Sequence, residues 1–346
     1  MSPPSSGARP GERNLITDVP GLRVGHAQDA GVRTGVTVLL ADTPVVAAVD
    51  VRGGGPASRE IDVLSPENLV QTLDAVVLSG GSVYGLAAAD GVTAWLGARG
   101  RGYGFNRPNT PLSPIVPAAC LYDLANAGNK AWGLEPPYRR LGLEAVQAVT
   151  AGFDLGGVGA GFGAKAGNLL GGIGSASLIL SDGWRVGALA AVNSHGSVVV
   201  PGGRRFWAAP FEIDGEFGGL GPGAPLSDPE GWGGWRGAAH AATSTTLACV
   251  ATDVALSRVE LKRIAIMAQD GMARAIRPAH SPFDGDIVFA LSTGRVLLPE
   301  DAARPLTVAR IGAAAADTLS RAIARGVFLS RATPDRPGTD WSSLNA

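Results

Sequence analysis

Short apolar runs alternate along this chain with breaks rich in glycine, proline, serine and aspartate, and the runs fall into two periods. Gly35-VTVLLA and Val45-VAAVDV predict two strands joined by a turn at Asp42-Thr43-Pro44. Arg52-GGGP is too glycine-rich for a regular element, and Ser65-Pro66-Glu67 predicts a short helix with an N-cap serine and proline at its first position. Ala75-VVLSGG reads as a buried strand, Ser82 to Leu96 as an Ala-rich helix, Pro114-IVPAAC as a strand and Leu141 to Thr150 as a helix. Ala176-SLILSD and Trp184-RVGALAAVN form a hairpin pattern that turns at Asp182-Gly183. Thr246 to Thr252 is a strand, and Ser257-Arg-Val-Glu260 is a capping box opening a helix that runs to about Ile276. Asp286-IVFALST is the last strand and Leu306 to Arg325 the closing helix. This mixed order lacks regular βαβ alternation and favours stacked sheets with helices outside.

Composition narrows the class. The 346 residues are 45% hydrophobic and 17% charged, with a net charge of −1, which suits a large core and argues against nucleic acid as the main partner. Cys120 and Cys249 each lie inside an apolar run and read as buried core residues, with no disulfide scaffold or zinc site. Residues 1–13 are polar and read as a disordered arm without an apolar signal region, and no stretch reaches the length of a membrane span. The expectation is a soluble, cytoplasmic protein.

One junction carries most of the candidate chemistry. A long irregular segment, Arg204 to Ala242, stops at Ser244-Thr245-Thr246, where an apolar β-branched run begins. Self-cleaving hydrolases place a hydroxyl nucleophile at such a junction, and a cut before Thr245 would give it a free α-amino group as a built-in base. The bland alternative is β-propensity alone. Asp284-Gly-Asp286 precedes a strand, and alternation would put both carboxylates on one face; ordinary turn chemistry explains the same triplet. Gly159-Ala-Gly161-Phe-Gly-Ala164 imitates a dinucleotide fingerprint, but a poor strand precedes it and a glycine-rich run follows. Ser82 lacks the second glycine of a nucleophile elbow, because Tyr84 stands there. Of the histidines His26, His195, His240 and His280, His195 reads as an exposed turn residue and His240 as solvated. No cluster has metal-ligand spacing, so no metal and no cofactor are expected. A non-enzymatic alternative uses the Trp-rich 204–240 segment (Trp207, Trp232, Trp235) to dock a partner.

Several stretches together resemble the DmpA-type family of N-terminal-nucleophile (Ntn) aminopeptidases, which includes the nylon-oligomer (6-aminohexanoate-oligomer) endohydrolases. They are Asn14-LITDVPGLRVGHA, Val49-DVRGGGPASRE, Val77-LSGGSVYGLAAADGV, Ile115-VPAACLYDL, Val158-GAGFGAKAG, Gly171-GIGSAS, Ala191-VN, Ser244-TTLACVATD and Phe283-DGDIVFALST, in family order over most of the chain. The resemblance implies an αββα sandwich over residues 14–330, with 331–346 as a tail. It also implies self-cleavage between Ser244 and Thr245 into associated subunits 1–244 and 245–346, which assemble as a homo-oligomer.

The resemblance further implies a role for each matching residue. Thr245 is the nucleophile, Asp284 and Asp286 polarise it, and Tyr122 and Asn193 donate hydrogen bonds to the tetrahedral oxyanion. The nylon hydrolases carry Asn-Thr-Thr at the cut and the aminopeptidases typically Gly-Ser; this chain has Ser244 before the threonine. The nylon-hydrolase lysine falls on Asn168 without gaps, and Lys165 is the nearest candidate to replace it. The implied function is hydrolysis of amide bonds in small peptides or ω-amino-acid oligomers. A strict aminopeptidase acting on D-, L- or β-amino acyl amides is the alternative.

Overall fold

The computed structural model describes residues 7–105, 107–223, 226, 244–298 and 303–344. Its elements are β1 (Leu22–Asp29), β2 (Thr34–Val51), β3 (Ala57–Arg59), β4 (Thr72–Ser79), α1 (Ala88–Gly97), β5 (Ala118–Cys120) and α2 (Tyr138–Gln147). There follow β6 (Lys165–Ala166), β7 (Leu169–Leu170), β8 (Gly172–Ile179), β9 (Arg185–Asn193), β10 (Thr245–Val254), α3 (Arg258–Ala275), β11 (Ile287–Val296) and α4 (Arg304–Phe328). The main ladder runs β3-β5-β4-β2-β11-β10-β9-β8, with β1 paired to β2, and β6 and β7 form a separate pair.

Strand alternation divides the core into three. Leu247 and Cys249 of β10, Ile287, Phe289 and Leu291 of β11, and Leu39, Leu73, Val76 and Leu78 of β2 and β4 meet in one inner core. The opposite faces of β8 to β11, through Ala188, Ala248, Val250 and Val288, pack under α3 and α4. Val36, Val38, Ala75 and Val77 pack under α1 and α2. The layers are therefore α, β, β, α, the expected sandwich.

The two sheet layers are joined by one strand rather than kept apart. Residues predicted as two strands and a turn form the single strand β2; Asp42-Thr43-Pro44 is an exposed irregularity where the pairing with β4 shifts between Leu40 and Val45. The N-terminal half of β2 pairs with β1 and β4 and its C-terminal half with β11, so β2 passes from one layer into the other. Proline interrupts a ladder bond without reversing the chain. The helix expected at Ser65 is also absent: the chain makes a short 3-10 turn at Asp62–Leu64 and then loops.

Other expectations hold. Gly183 turns the β8–β9 hairpin at a φ of 82°, and Ser257 caps α3 by accepting from Glu260 N. Both cysteines are buried and free. The described residues of the polar arm and of the tail are better anchored than their composition suggests. Within the polar arm, Arg9 pairs with Ile179 and Gly11 N–H donates to Ser177 Oγ. In the tail, Trp341 joins the core under α4, and buried Arg336 donates to the carbonyls of Phe162 and Gly171.

Candidate active site

Thr245 begins β10 with its side chain in register with the inner-core positions Leu247 and Cys249, and it pairs with Asn193 at the end of β9. It is 3% exposed, so the junction suggested by the sequence is a buried strand end at the mouth between the two sheet layers. Thr245 Oγ1 donates to the carbonyl of Ser244 at 2.5 Å, and Gly285 N–H donates to the same oxygen at 3.1 Å. A Cβ on Gly285 would lie 2.6 Å from Thr245 Oγ1, so glycine is needed for this approach. The hydroxyls of Ser244 and Thr246 are buried without a hydrogen-bond partner among the described residues.

Asp284 and Asp286 lie in the turn before β11 and straddle that glycine, each 1% exposed. Asp286 Oδ1 accepts from Thr246 N at 2.8 Å, while its Oδ2 accepts from the backbone N–H of His280 at 3.0 Å and bonds its Nδ1 at 2.8 Å. Asp284 accepts from His195 N at 3.1 Å, Ser281 N at 3.1 Å and Ser281 Oγ at 2.5 Å. These bonds make the turn a rigid support for the start of β10. Burial, and then the charge of Asp286, push the Asp284 carboxyl up to about 6, against the hydrogen bonds from Ser281 and His195. Burial works against the His280 imidazolium, but the bond and charge of Asp286 outweigh it, so its pKa lies above the ordinary value.

The Arg52-GGGP segment supports the same turn from behind. Gly53 N–H donates to Asp286 O and Gly55 N–H to Asp284 O, and a Cβ on Gly53 would sit 2.2 Å from Asp286 N. The run is glycine-rich because two backbones touch there.

Tyr122 and Asn193 come together at the site. Asn193 is buried; its Nδ2 donates to Tyr122 O at 3.1 Å and its Oδ1 accepts from Lys165 N at 2.9 Å. Tyr122 lines a cleft of about 190 Å³ together with Thr245, Ser244, Ser82, Cys120 and Phe283. Lys165 reaches this arrangement by its backbone amide. Its side chain is exposed and lines a separate cleft of about 270 Å³ with Arg33, Asn126, Phe162 and Arg336. Asn168 is exposed.

Other sequence readings change. His195, expected to be exposed, is 2% exposed, because the chain after β9 runs back against the end of α3 through paired bonds between Ser197 and Arg277. Its ring packs against Phe283, 5.6 Å between centroids. His280 and Ser281 were not singled out in the sequence, although their place just before Asp284 was a usable signal. Gly159–Gly161 forms a 3-10 turn whose first two N–H groups bond Gln28 Oε1 and Thr37 Oγ1, which leaves no phosphate cradle there. Trp207 is half-buried near Arg277, whereas Trp232, Trp235 and His240 lie outside the described residues. Among the described residues no group of three or more His, Cys, Asp or Glu is arranged to hold a metal, and no helix is long and apolar enough to cross a membrane.

This layering, with a hydroxyl residue opening a central strand at the mouth of the inner core, is that of an Ntn hydrolase. The comparisons agree. The L-aminopeptidase D-Ala-esterase/amidase of Ochrobactrum anthropi, titled a variant of the Ntn hydrolase fold, superposes with a TM-score of 0.70 over 97% of this chain and 93% of that one, at 23% identity. A β-aminopeptidase of Burkholderia sp. gives a TM-score of 0.69 over 96% and 92%, at 24% identity. The model of Peptidase family S58 matches residues 14–340, and the chain belongs to that family. An uncharacterized aminopeptidase of Mycobacterium tuberculosis is 45% identical over 337 residues, covering 91% of this chain and 94% of the relative. A 6-aminohexanoate-oligomer endohydrolase of Kocuria sp. is 29% identical over 300 residues, covering 84% and 78%. The chain is an amide-bond hydrolase with an Ntn-hydrolase-like fold, and the non-enzymatic reading falls away.

Proposed function

We propose that the protein cleaves itself between Ser244 and Thr245 and then uses Thr245 as the nucleophile against amide bonds of small peptides or ω-amino-acid oligomers. The observation that carries this reading is the contact of Thr245 Oγ1 and Gly285 N–H with the same Ser244 oxygen. In processing, Oγ1 attacks the Ser244 carbonyl carbon while Gly285 N–H stabilises the developing oxyanion. The Ser244–Thr245 C–N bond breaks, the Thr245 nitrogen takes a proton, and water hydrolyses the resulting ester. The freed α-amine, which titrates at about 7.7–8.0, then serves as base for turnover.

Asp284 and Asp286 hold the start of β10 and keep negative charge beside the reacting hydroxyl. Tyr122 and Asn193 are the donors for the substrate oxyanion. Lys165 donates its backbone amide to Asn193 Oδ1, which fixes that side chain. The fragments stay together because β10 and β11 lie in the middle of the ladder, paired to β9 and β2 of the larger piece. The aminopeptidase alternative draws support from the similarity to the mycobacterial aminopeptidase, and the oligomer reading from the similarity to the 6-aminohexanoate-oligomer endohydrolase.

Intact mass after expression tests the scheme. Fragments of roughly 25 and 10 kDa, the smaller beginning Thr-Thr-Leu, are expected if mass follows residue number. An uncut yet active enzyme would overturn it.

A further inference from the structure

One wall of the Thr245 cleft is a turn that the reaction above leaves unused. After β4 the chain passes Gly80, Gly81 and Ser82 and enters the 3-10 turn Ser82–Ala87. Ser82 has a φ of 51°, a left-handed conformation that a non-glycine residue keeps only where its surroundings hold it. Three contacts do so. Gly81 N–H donates to the buried Asp123 carboxylate at 2.8 Å, Ser82 N–H donates to Leu121 O at 2.9 Å, and Gly81 sits so close to the Tyr138 ring that a Cβ would be 2.1 Å from it. The turn is thus fixed with Ser82 lining the same cleft as Thr245 and Tyr122.

The other walls, Gly55, Ala57, Cys120, Pro282 and Phe283, carry no charge. Tyr122 and Thr245 have roles in the chemistry, and Ser244 becomes the C-terminal residue of the larger fragment on processing. That leaves Ser82 as the hydroxyl available to orient a substrate against these walls, the usual task of a polar group in a small apolar site. A space of about 190 Å³ takes one short residue beside the scissile carbonyl rather than a length of peptide.

Resting on the proposed function, we propose that Ser82 is a substrate-positioning residue: its hydroxyl hydrogen-bonds the acyl-side residue of the scissile amide, and the uncharged side chains around it select acyl residues with small, uncharged side chains. A charged side chain on that residue would lose water there without gaining a counter-ion among the described lining side chains.

The test uses the full chain as wild type, Ser82→Ala, Ser82→Gly and Ser82→Asn. Cleavage state is read by intact mass, and kinetics on L-, D- and β-alanyl, aspartyl and lysyl p-nitroanilides. All variants should cut before Thr245. On the best alanyl substrate, kcat/KM should fall about tenfold in both Ser82→Ala and Ser82→Gly, mainly through KM. Ser82→Asn keeps a hydrogen-bonding group and tolerates the left-handed backbone, so it should stay above both. Wild type should prefer alanyl over aspartyl and lysyl amides by about 100-fold. A merely conformational role predicts that Ser82→Gly matches or exceeds wild type, since glycine adopts this φ freely, and that result would overturn the proposal. Equal turnover of acyl residues with charged and uncharged side chains would overturn the substrate class. A wild type neither cut nor active overturns the preceding reading as well, whereas a cut, active wild type matched by Ser82→Ala overturns only this one.

Discussion

Two loops face the Thr245 cleft, and both are organised by buried carboxyl groups, yet they do different work. In the Asp284–Asp286 turn the carboxylates accept from Thr246 N and His195 N, on or beside the strand that carries the proposed nucleophile. In the loop after β5, Asp123 accepts from Thr34 Oγ1 at 2.6 Å and Gly81 N at 2.8 Å, which shapes the turn that presents Ser82. Burial raises both Asp284 and Asp123 to about 6, in each case against hydrogen bonds that favour the charged form. A raised carboxyl alone therefore does not mark the reacting residue; what it holds does. On the proposed reading the first loop supports chemistry and the second supports binding.

The sharpest way to test this division is to remove what both loops serve. Thr245→Ala should remain one chain and lose turnover by on the order of 10⁴-fold or more, because the same hydroxyl serves both reactions. Mass analysis and an amide assay check this, and any matured, active Thr245→Ala protein breaks the scheme.

Asp284→Asn and Asp286→Asn come next. Each removes charge with little change of shape, so processing half-life should lengthen by about 10²- to 10³-fold while the melting temperature stays close to that of wild type. Wild-type processing in both variants would return the pair to the role of a turn. The pH dependence follows from the raised Asp284: it is a carboxylate only above about 6, so the processing rate should climb as pH rises through that value.

Tyr122→Phe should fold and cut. Its loss, about 10²-fold, should fall in kcat rather than KM if the phenol stabilises the substrate oxyanion. Equal kcat would remove Tyr122 from that role.

The smallest effect belongs to the second loop. Asp123→Asn should leave processing nearly intact, within about threefold, and raise KM by about tenfold through the displaced Ser82 turn. It should also change how stability depends on pH. A carboxyl whose folded pKa is raised stabilises the fold fully below its unfolded value of 3.8, and that contribution is lost as pH rises through about 6. Denaturation curves at pH 4, 5, 6 and 7 should therefore show a weaker decline across this window in Asp123→Asn than in wild type. Identical slopes would mean that Asp123 is not protonated preferentially in the fold.

Local patterns carried much of this protein on their own. The capping box Ser257–Glu260, the hairpin at Asp182-Gly183, the apolar runs of β4, β9, β10 and β11, and the loop-to-strand junction at Thr245 all depend on residues a few positions apart. Period and turn chemistry report such arrangements directly. Long-range pairing decided the rest. Whether Asp42-Thr43-Pro44 reverses the chain depends on β4 and β11, which carry β2 straight on from one layer to the other. The burial of His195 is set by the chain following α3, through the paired bonds of Ser197 and Arg277. The left-handed Ser82 is imposed by Asp123 and Tyr138, residues far along the chain. Sequence period tells which residues share a face, and only packing tells which face meets which, because burial and hydrogen-bond partners are properties of the assembled layers.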